Sequence, residues 1–254
     1  MWGMSADRLR QITDAVRESG RRSVLELAEL TGASEMTIRR DLELLAEQGV
    51  LERYRGGARS LLLRGEEPPF ALRAQEGQEL KRRMAAEAAA LIADGESVVV
   101  DSGTTCLEVA RALHHRRLTV MPLSLHAANA LADAPQLTLL LPGGQPRRGE
   151  LSLTGPLTEA SLAALRFDTA VIGCCGLTAA DGLTAYDLAD AAVKRAAIAS
   201  ARRVIAVAEP AKLSRTALAH VIPASRLHAV VTGEDAPAEA VGALTAEGVT
   251  VRKA

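Results

Sequence analysis

From residue 97 onward, short continuous apolar runs alternate with stretches of helical period, and nothing else constrains the fold as strongly. The runs are Ser97–Val100, Leu118–Met121, Leu137–Leu141, Thr169–Ile172, Arg203–Ala208 and Ala229–Thr232. Between them lie helical patterns near Thr104–His115, Ala127–Ala132, Leu157–Leu165, Leu188–Ala201 and Pro237–Glu247. A continuously apolar strand has no face to turn to water, so both of its faces must be covered. Helices between successive strands are what parallel connections need. The expectation is an α/β domain with a mostly parallel sheet, and a last strand, Val249–Arg252, at its edge.

The first sixty residues follow a different logic. Ser34-Glu-Met-Thr-Ile-Arg-Arg-Asp-Leu42 places Ser34 as an N-cap. Ile38, Leu42 and Leu45 then recur at i, i+4 and i+7, an apolar stripe on one helix face. Met36, Thr37, Arg39 and Arg40 fall off that stripe, near the end that meets base edges and phosphates in a helix-turn-helix. Two outward arginines alone also fit an ordinary solvated face. The flanks decide: Ser23-Val-Leu-Glu26 has capping-box spacing before Leu27, Ala28 and Leu30, and Gly32 suits the tight left-handed turn that follows. Gly49 closes the longer helix. Val50–Tyr54, the turn Arg55-Gly56-Gly57 and Ala58–Ser60 then read as a hairpin wing whose Arg53, Arg55 and Arg59 suit a phosphate backbone. The expected unit is a winged helix-turn-helix, residues 1–60. Its candidate contacts with double-stranded operator DNA are Ser34, Met36, Thr37, Arg39, Arg40, Arg53, Tyr54, Arg55 and Arg59.

Charge does not advertise this role. The chain carries 30 Lys plus Arg against 31 Asp plus Glu, and residues 1–60 hold ten Arg against ten acids. DNA binding therefore requires the arginines to be segregated in space. Aromatics are 2% of the chain, which argues against base-stacking platforms for single strands. The three cysteines, Cys106, Cys174 and Cys175, form neither a disulfide framework nor a zinc pattern. Small buried residues in a reducing cytoplasm fit them better. Neither a signal pattern nor a membrane-length apolar run is evident. The expected location is the cytoplasm, with no membrane partner. Met1 and Met4 compete as the start.

A first helix, Ser5–Ser19, carries Leu9, Ile12 and Val16 inward. Two prolines in Leu61–Pro69 break the periodicity and mark a linker, taken as 61–72. A long helix from about Arg73 to Ala93, ended by Asp94-Gly95, opens the second domain, 73–254.

Ligands of open parallel sheets bind beyond the carboxyl ends of strands, and four segments there have suitable composition. Asp101-Ser102-Gly103-Thr104-Thr105 follows a buried strand and opens a helix, so amides, hydroxyls and helix dipole converge on one spot suited to phosphate. A glycine turn with a threonine cap reads the same residues equally well. Pro142-Gly143-Gly144 is followed by Arg147 and Arg148. Gly173-Cys174-Cys175-Gly176 would let a ligand lie close to the sheet. Lys194 on a helix and Lys212 in a loop could add charge. Catalysis has little support: no Gly-x-Ser-x-Gly occurs, and no histidines have metal spacing. Asp181, Asp187 and Asp190 read as caps as readily as bases. No catalytic residue, metal or cofactor is expected.

The order S-x-x-T-I-R-R-D-L, Gly-Gly wing, Pro-Pro-Phe, D-x-G-T-T, Gly-Gly, late V-K-R and loop lysine resembles the DeoR family of bacterial transcriptional regulators, from about Ser5 to Val251. The resemblance implies a sensor domain similar to ribose-5-phosphate isomerases, binding a phosphorylated sugar or related metabolite and usually not catalytic. By position, Asp101–Thr105 would be the phosphate loop, Gly143 and Gly144 its neighbouring wall, and Lys194 and Lys212 the cationic contacts. Ser124 and Gly176 complete the candidate ligand set. The chain departs from the family pattern at Pro122-Leu123 (commonly Thr-Asn), at Glu209-Pro210-Ala211 (commonly Asp-Ser-Ser) and at Cys174-Cys175. The function implied is a regulator of a metabolic operon, most often a repressor, acting as a homodimer or higher homo-oligomer. An isomerase-like enzyme fused to a DNA-binding domain, and a sensor fold kept only for dimerisation, are the alternatives.

Overall fold

The computed structural model describes residues 3–47, 49–61 and 68–254. Met1 and residues 62–67, which bear on the choice of start and on the expected linker, lie outside them. Contacts divide the chain into two compact units, Met1–Gly77 and Gln78–Ala254.

In the first unit, α1 (Gly3–Ser19), α2 (Val24–Thr31) and α3 (Glu35–Glu47) pack on a small sheet of β1 (Arg21–Ser23), β2 (Leu51–Tyr54) and β3 (Gly57–Ser60). Ser23 caps α2 through a complete capping box with Glu26, and Gly32 ends it at φ 66°. Leu9, Ile12 and Val16 of α1 meet Leu27 of α2 and Ile38, Leu42 and Leu45 of α3 in one core. Each such side chain, fully buried, contributes roughly 1.5–3 kcal/mol. Two features differ from expectation. The sheet has three strands in the order β1-β3-β2, and β1 is too short to give a periodicity signal. The wing turn is only Arg55-Gly56, because Gly57 pairs with Tyr54 in the ladder. A Cβ on Gly57 would sit 2.3 Å from the Arg22 carbonyl oxygen and 2.6 Å from Tyr54 Oη. Glycine stands there for lack of space.

The expected helix over Arg73–Ala93 is two helices, α4 (Phe70–Arg73) and α5 (Gln78–Ala90). Gly77 between them lies at φ 55°, a left-handed conformation that an α-helix cannot pass through. Gly77 is visible in the sequence, but helix formers on both sides of it read as one helix across a tolerated glycine.

The second unit then runs β4 (Ser97–Val100), α6 (Thr104–Leu113), β5 (Thr119–Pro122), α7 (Leu125–Leu131), β6 (Thr138–Leu139), β7 (Gln145–Pro146), β8 (Leu153–Thr154) and α8 (Pro156–Ala163). It continues with β9 (Phe167–Gly173), β10 (Gly176–Thr178), β11 (Gly182–Ala185), α9 (Leu188–Ala199), β12 (Ala201–Val207), β13 (Ala219–Ile222), β14 (Ala229–Thr232), α10 (Ala238–Ala246) and β15 (Thr250–Lys253). Seven strands form one sheet in the order β15-β14-β12-β9-β4-β5-β6, and every pairing in it is parallel. The last strand is at the edge, as expected. The run Leu137–Leu141 shrinks to two strand residues at the other edge. Two antiparallel additions, β10-β11-β13 and β7-β8, gave no signal in the sequence.

Period-two alternation explains the continuous apolar runs. Val98, Val100, Val171, Ile205 and Val207 face a cluster with Met84, Val109 and Leu131 of α5, α6 and α7. Their neighbours Val99, Ala170, Ile172, Val204 and Ala206 face Leu162, Val193 and Leu244 of α8, α9 and α10. From the central pair β9 and β4, the chain adds strands outward in both directions, so the switch point lies between their carboxyl ends.

Candidate functional site

Two surfaces gather the candidate residues, one in each unit. On α3, Ser34 Oγ accepts from the Thr37 backbone N–H at 3.2 Å and lies 2.9 Å from Thr37 Oγ1. Ile38, Leu42 and Leu45 point into the core, leaving Met36, Arg39 and Arg40 exposed. Arg39 donates to Glu35 at 2.6 Å, one turn back. On the wing, Arg53 donates to Glu43 at 3.0 Å, and Arg59 to Glu52 through Nε and Nη2 at 2.8 and 2.6 Å. Tyr54 lies over Gly57 and donates weakly to the Arg22 carbonyl at 3.4 Å. Arg55 is exposed at the turn. Among the described residues, Arg40 and Arg55 have no ion-pair partner, whereas Arg39, Arg53 and Arg59 do.

Asp41 belongs to the same motif, but the sequence assigned it no role. It is buried and accepts two bonds from Arg8 of α1, at 2.6 and 3.2 Å. The carboxylate raises the Arg8 guanidinium above its ordinary value. This pair ties α3 to α1. Its 33-residue separation left no local signal.

The second surface lies at the switch point. Asp101 follows β4, and its backbone N–H donates to the Val171 carbonyl of β9 at 2.9 Å. Its Oδ2 accepts from the Gly173 N–H at 2.9 Å and from Lys194 Nζ. Lys194 also sits 3.3 Å from Asp190, one turn back on α9. All three side chains are buried, so one ammonium faces two carboxylates. Burial lowers the affinity of Lys194 for its proton, and the two carboxylates overturn that, holding it well above the lysine range. Burial raises Asp101, the Lys194 charge pulls it back, and Asp190 adds to the rise. Asp190 was expected only as a cap or base; the i,i+4 spacing to Lys194 was its available signal. Asp187 is the cap of α9, accepting from the Asp190 N–H at 2.8 Å.

After Asp101, Ser102 and Gly103 are half-buried and Thr104 and Thr105 are buried. Gly103 precedes α6 at φ 99° and ψ 167°, and a Cβ there would meet nothing within 4 Å. Backbone freedom, not crowding, requires this glycine. Lys212 donates to the Cys174 carbonyl at 2.9 Å, beside β9. Cys106 is buried in the first turn of α6, where burial and the Asp101 charge push its thiol up. Ser124 is buried and caps α7 by accepting from the Ala127 N–H at 3.2 Å.

The remaining glycines have other close neighbours. The Gly143 carbonyl accepts from Thr158 Oγ1 of α8 at 2.7 Å. A Cβ on Gly144, at φ 126°, would lie 1.9 Å from the same Oγ1. A Cβ on Gly176 would lie 2.2 Å from the Arg215 carbonyl oxygen. The structure thus brings Asp101–Thr105, Gly173, Asp190, Lys194 and, through Cys174, Lys212 to the ends of β4 and β9. Gly143 and Gly144 are fixed to α8, and Gly176 lies against the 215 loop. Among the described residues no group of three or more His, Cys, Asp or Glu could hold a metal.

Residues 8–62 match the sequence model of the DeoR-like helix-turn-helix domain, and residues 76–234 that of the DeoR C-terminal sensor domain. A putative aga operon transcriptional repressor from Escherichia coli O157:H7 is 32% identical over 97% of this chain and 93% of its own. The glycerol-3-phosphate regulon repressor of Escherichia coli K12 is 32% identical over 92% of this chain and 93% of its own. Among solved structures, ribose 5-phosphate isomerase A from Methanocaldococcus jannaschii aligns with TM-score 0.41 and 16% identity, over 54% of this chain and 55% of its own. With the three-helix unit, its wing and the parallel-sheet unit already in place, the two domain models and the repressor relatives assign the chain to the DeoR family of transcriptional regulators, a DNA-binding domain followed by a sensor domain.

Proposed function

We propose that this regulator represses a metabolic operon, and that a phosphorylated sugar or related metabolite held at the ends of β4 and β9 sets its operator affinity. The observation that carries the reading is the Asp101–Thr105 loop. It lies at the switch point of a parallel sheet, opens α6 through a left-handed glycine, and has its carboxylate locked by Gly173 and Lys194. The amides of a helix start, with threonine hydroxyls beside them, suit an anionic group. Lys194 then positions Asp101, since its own charge is engaged by two carboxylates, and Lys212, which donates to the Cys174 carbonyl beside β9, is the cationic contact assigned to the anion. Ser124 lines the neighbouring strand end, and Gly143, Gly144 and Gly176 shape the wall around it. Residues 1–60 carry DNA through α3 and the wing, 61–72 connect, and 73–254 sense and oligomerise. A homodimer or higher homo-oligomer on a repeated site follows from the short half-site that one winged helix covers. The chain acts without catalysis, as a cytoplasmic protein.

The test is titration calorimetry with glycerol 3-phosphate, a panel of pentose and hexose phosphates, and the same sugars without phosphate, on wild type and Gly103→Val. The unphosphorylated arm matters because Pro122-Leu123 and Glu209-Pro210-Ala211 make the strand ends less polar than the family pattern. Binding by wild type and loss in Gly103→Val, with DNA affinity intact, is expected. Equal binding by both removes the loop from the site, and binding by neither favours a dimerisation-only domain. Turnover of any sugar phosphate would favour the enzyme reading. Effector and operator must weaken each other by the same factor, typically worth about 1–3 kcal/mol.

A further inference from the structure

The two adjacent arginines of α3 are not equivalent, and the difference assigns roles on DNA. At 3.6 residues per turn, Met36 and Arg40 stand one turn apart, opposite the buried Ile38–Leu42–Leu45 stripe. Glu35 and Arg39 stand to one flank, closed on each other at 2.6 Å. The Thr37 hydroxyl is engaged with Ser34 at 2.9 Å. Further along the outward face comes Glu43, held by Arg53 at 3.0 Å, and then Glu47. Two carboxylates there repel phosphate, so only the first two turns suit a major groove. In those turns the groups both outward and uncommitted are Met36, 65% exposed, and Arg40, which has no ion pair among the described residues. A single exposed methionine needs no explanation; its position beside Arg40 supplies the argument.

Resting on the recognition-helix reading of α3, we propose that Met36 and Arg40 form one base-reading row. Arg40 forks onto O6 and N7 of a guanine, and Met36 covers the methyl of a thymine. A guanidinium matches the two guanine acceptors, and an apolar side chain is the partner of the thymine methyl. Four residues of helix rise about 6 Å, under two base steps of about 3.4 Å. The thymine therefore lies within two base pairs of the guanine. Arg39, on the flank of that row beside Glu35, is a backbone contact.

The experiment uses full-length protein and duplexes that it selects from a random library. Affinities are measured for wild type, Met36→Ala, Arg40→Gln and Arg39→Gln on selected and random duplexes. Two chemical probes follow, 7-deazaguanine for guanine and uracil for thymine, one position at a time. Arg40→Gln should cost about 5- to 150-fold on the selected site and much less on random DNA. It should also abolish the penalty of 7-deazaguanine at one position. Removing the thymine methyl should cost wild type about fourfold and Met36→Ala nothing. Arg39→Gln should weaken selected and random duplexes alike. An equal loss of both by Arg40→Gln, a uracil penalty that persists in Met36→Ala, or relaxed specificity in Arg39→Gln would each overturn the assignment. If wild type binds no duplex and selects no sequence, the recognition-helix reading itself fails, which is a different result.

Discussion

The two functional surfaces are built in opposite ways. The α3 surface comes from one continuous stretch, is exposed, and pairs its charges four residues apart, as Glu35 and Arg39 do. The strand-end site joins Asp101 to Lys194 across 93 residues and buries both. Exposed pairs exchange partners at little cost, so the DNA surface can release an arginine to a phosphate. Buried pairs cannot, because an unpaired charge in the interior is far more costly than a separated surface pair. The first surface is suited to reading a partner, the second to holding one geometry that a ligand could bias.

That contrast can be broken most severely at Lys194. Lys194→Ala leaves Asp101 and Asp190 buried with no cation, and should destabilise the second unit by roughly 3–5 kcal/mol. Thermal unfolding should show that unit melting earlier with the first unit unmoved; adding Asp101→Asn should recover part of the loss. A melting temperature unchanged by Lys194→Ala would mean the cluster is wetter than its burial implies.

The first unit has an intermediate case. Arg8 and Asp41 are 22% and 10% exposed in their side chains, so Asp41→Ala should cost about 1–3 kcal/mol and weaken all duplexes together as α3 loosens. Selective loss on one sequence would instead make Asp41 part of base recognition. Ser34→Ala removes a cap and should cost about 1 kcal/mol, visible as reduced helicity and a lower melting temperature of the first unit.

The smallest effect is in acid. Bonds from the Ser97 N–H and hydroxyl hold the Asp168 carboxyl below the usual carboxylate range. A depressed folded value means the stabilisation is complete above the ordinary carboxylate range and is lost as pH falls through the folded value. The Asp168 side chain is 40% exposed, so the effect should be under about 1 kcal/mol. Asp168→Asn should flatten the acid limb of stability slightly and leave neutral pH nearly unchanged; an equal loss at every pH would sink the linkage.

What could be read in advance follows the same division. The helix caps at Ser23, Gly32 and Ser34, the apolar stripe of α3, and the alternating runs of the parallel sheet are local patterns in which neighbouring residues dictate backbone geometry. They determined the winged helix, the α/β unit and the Asp101–Thr105 loop. The tertiary structure alone decided what depends on distant residues meeting. It set Asp41 onto Arg8, closed Arg53 of the wing onto Glu43 of α3, and turned Lys194 toward two carboxylates. It also fixed Gly57, Gly144 and Gly176 by what lies against them. Short strands such as β1, β7 and β8 belong to this group, because two or three residues cannot express a period and take their form from the strand they pair with.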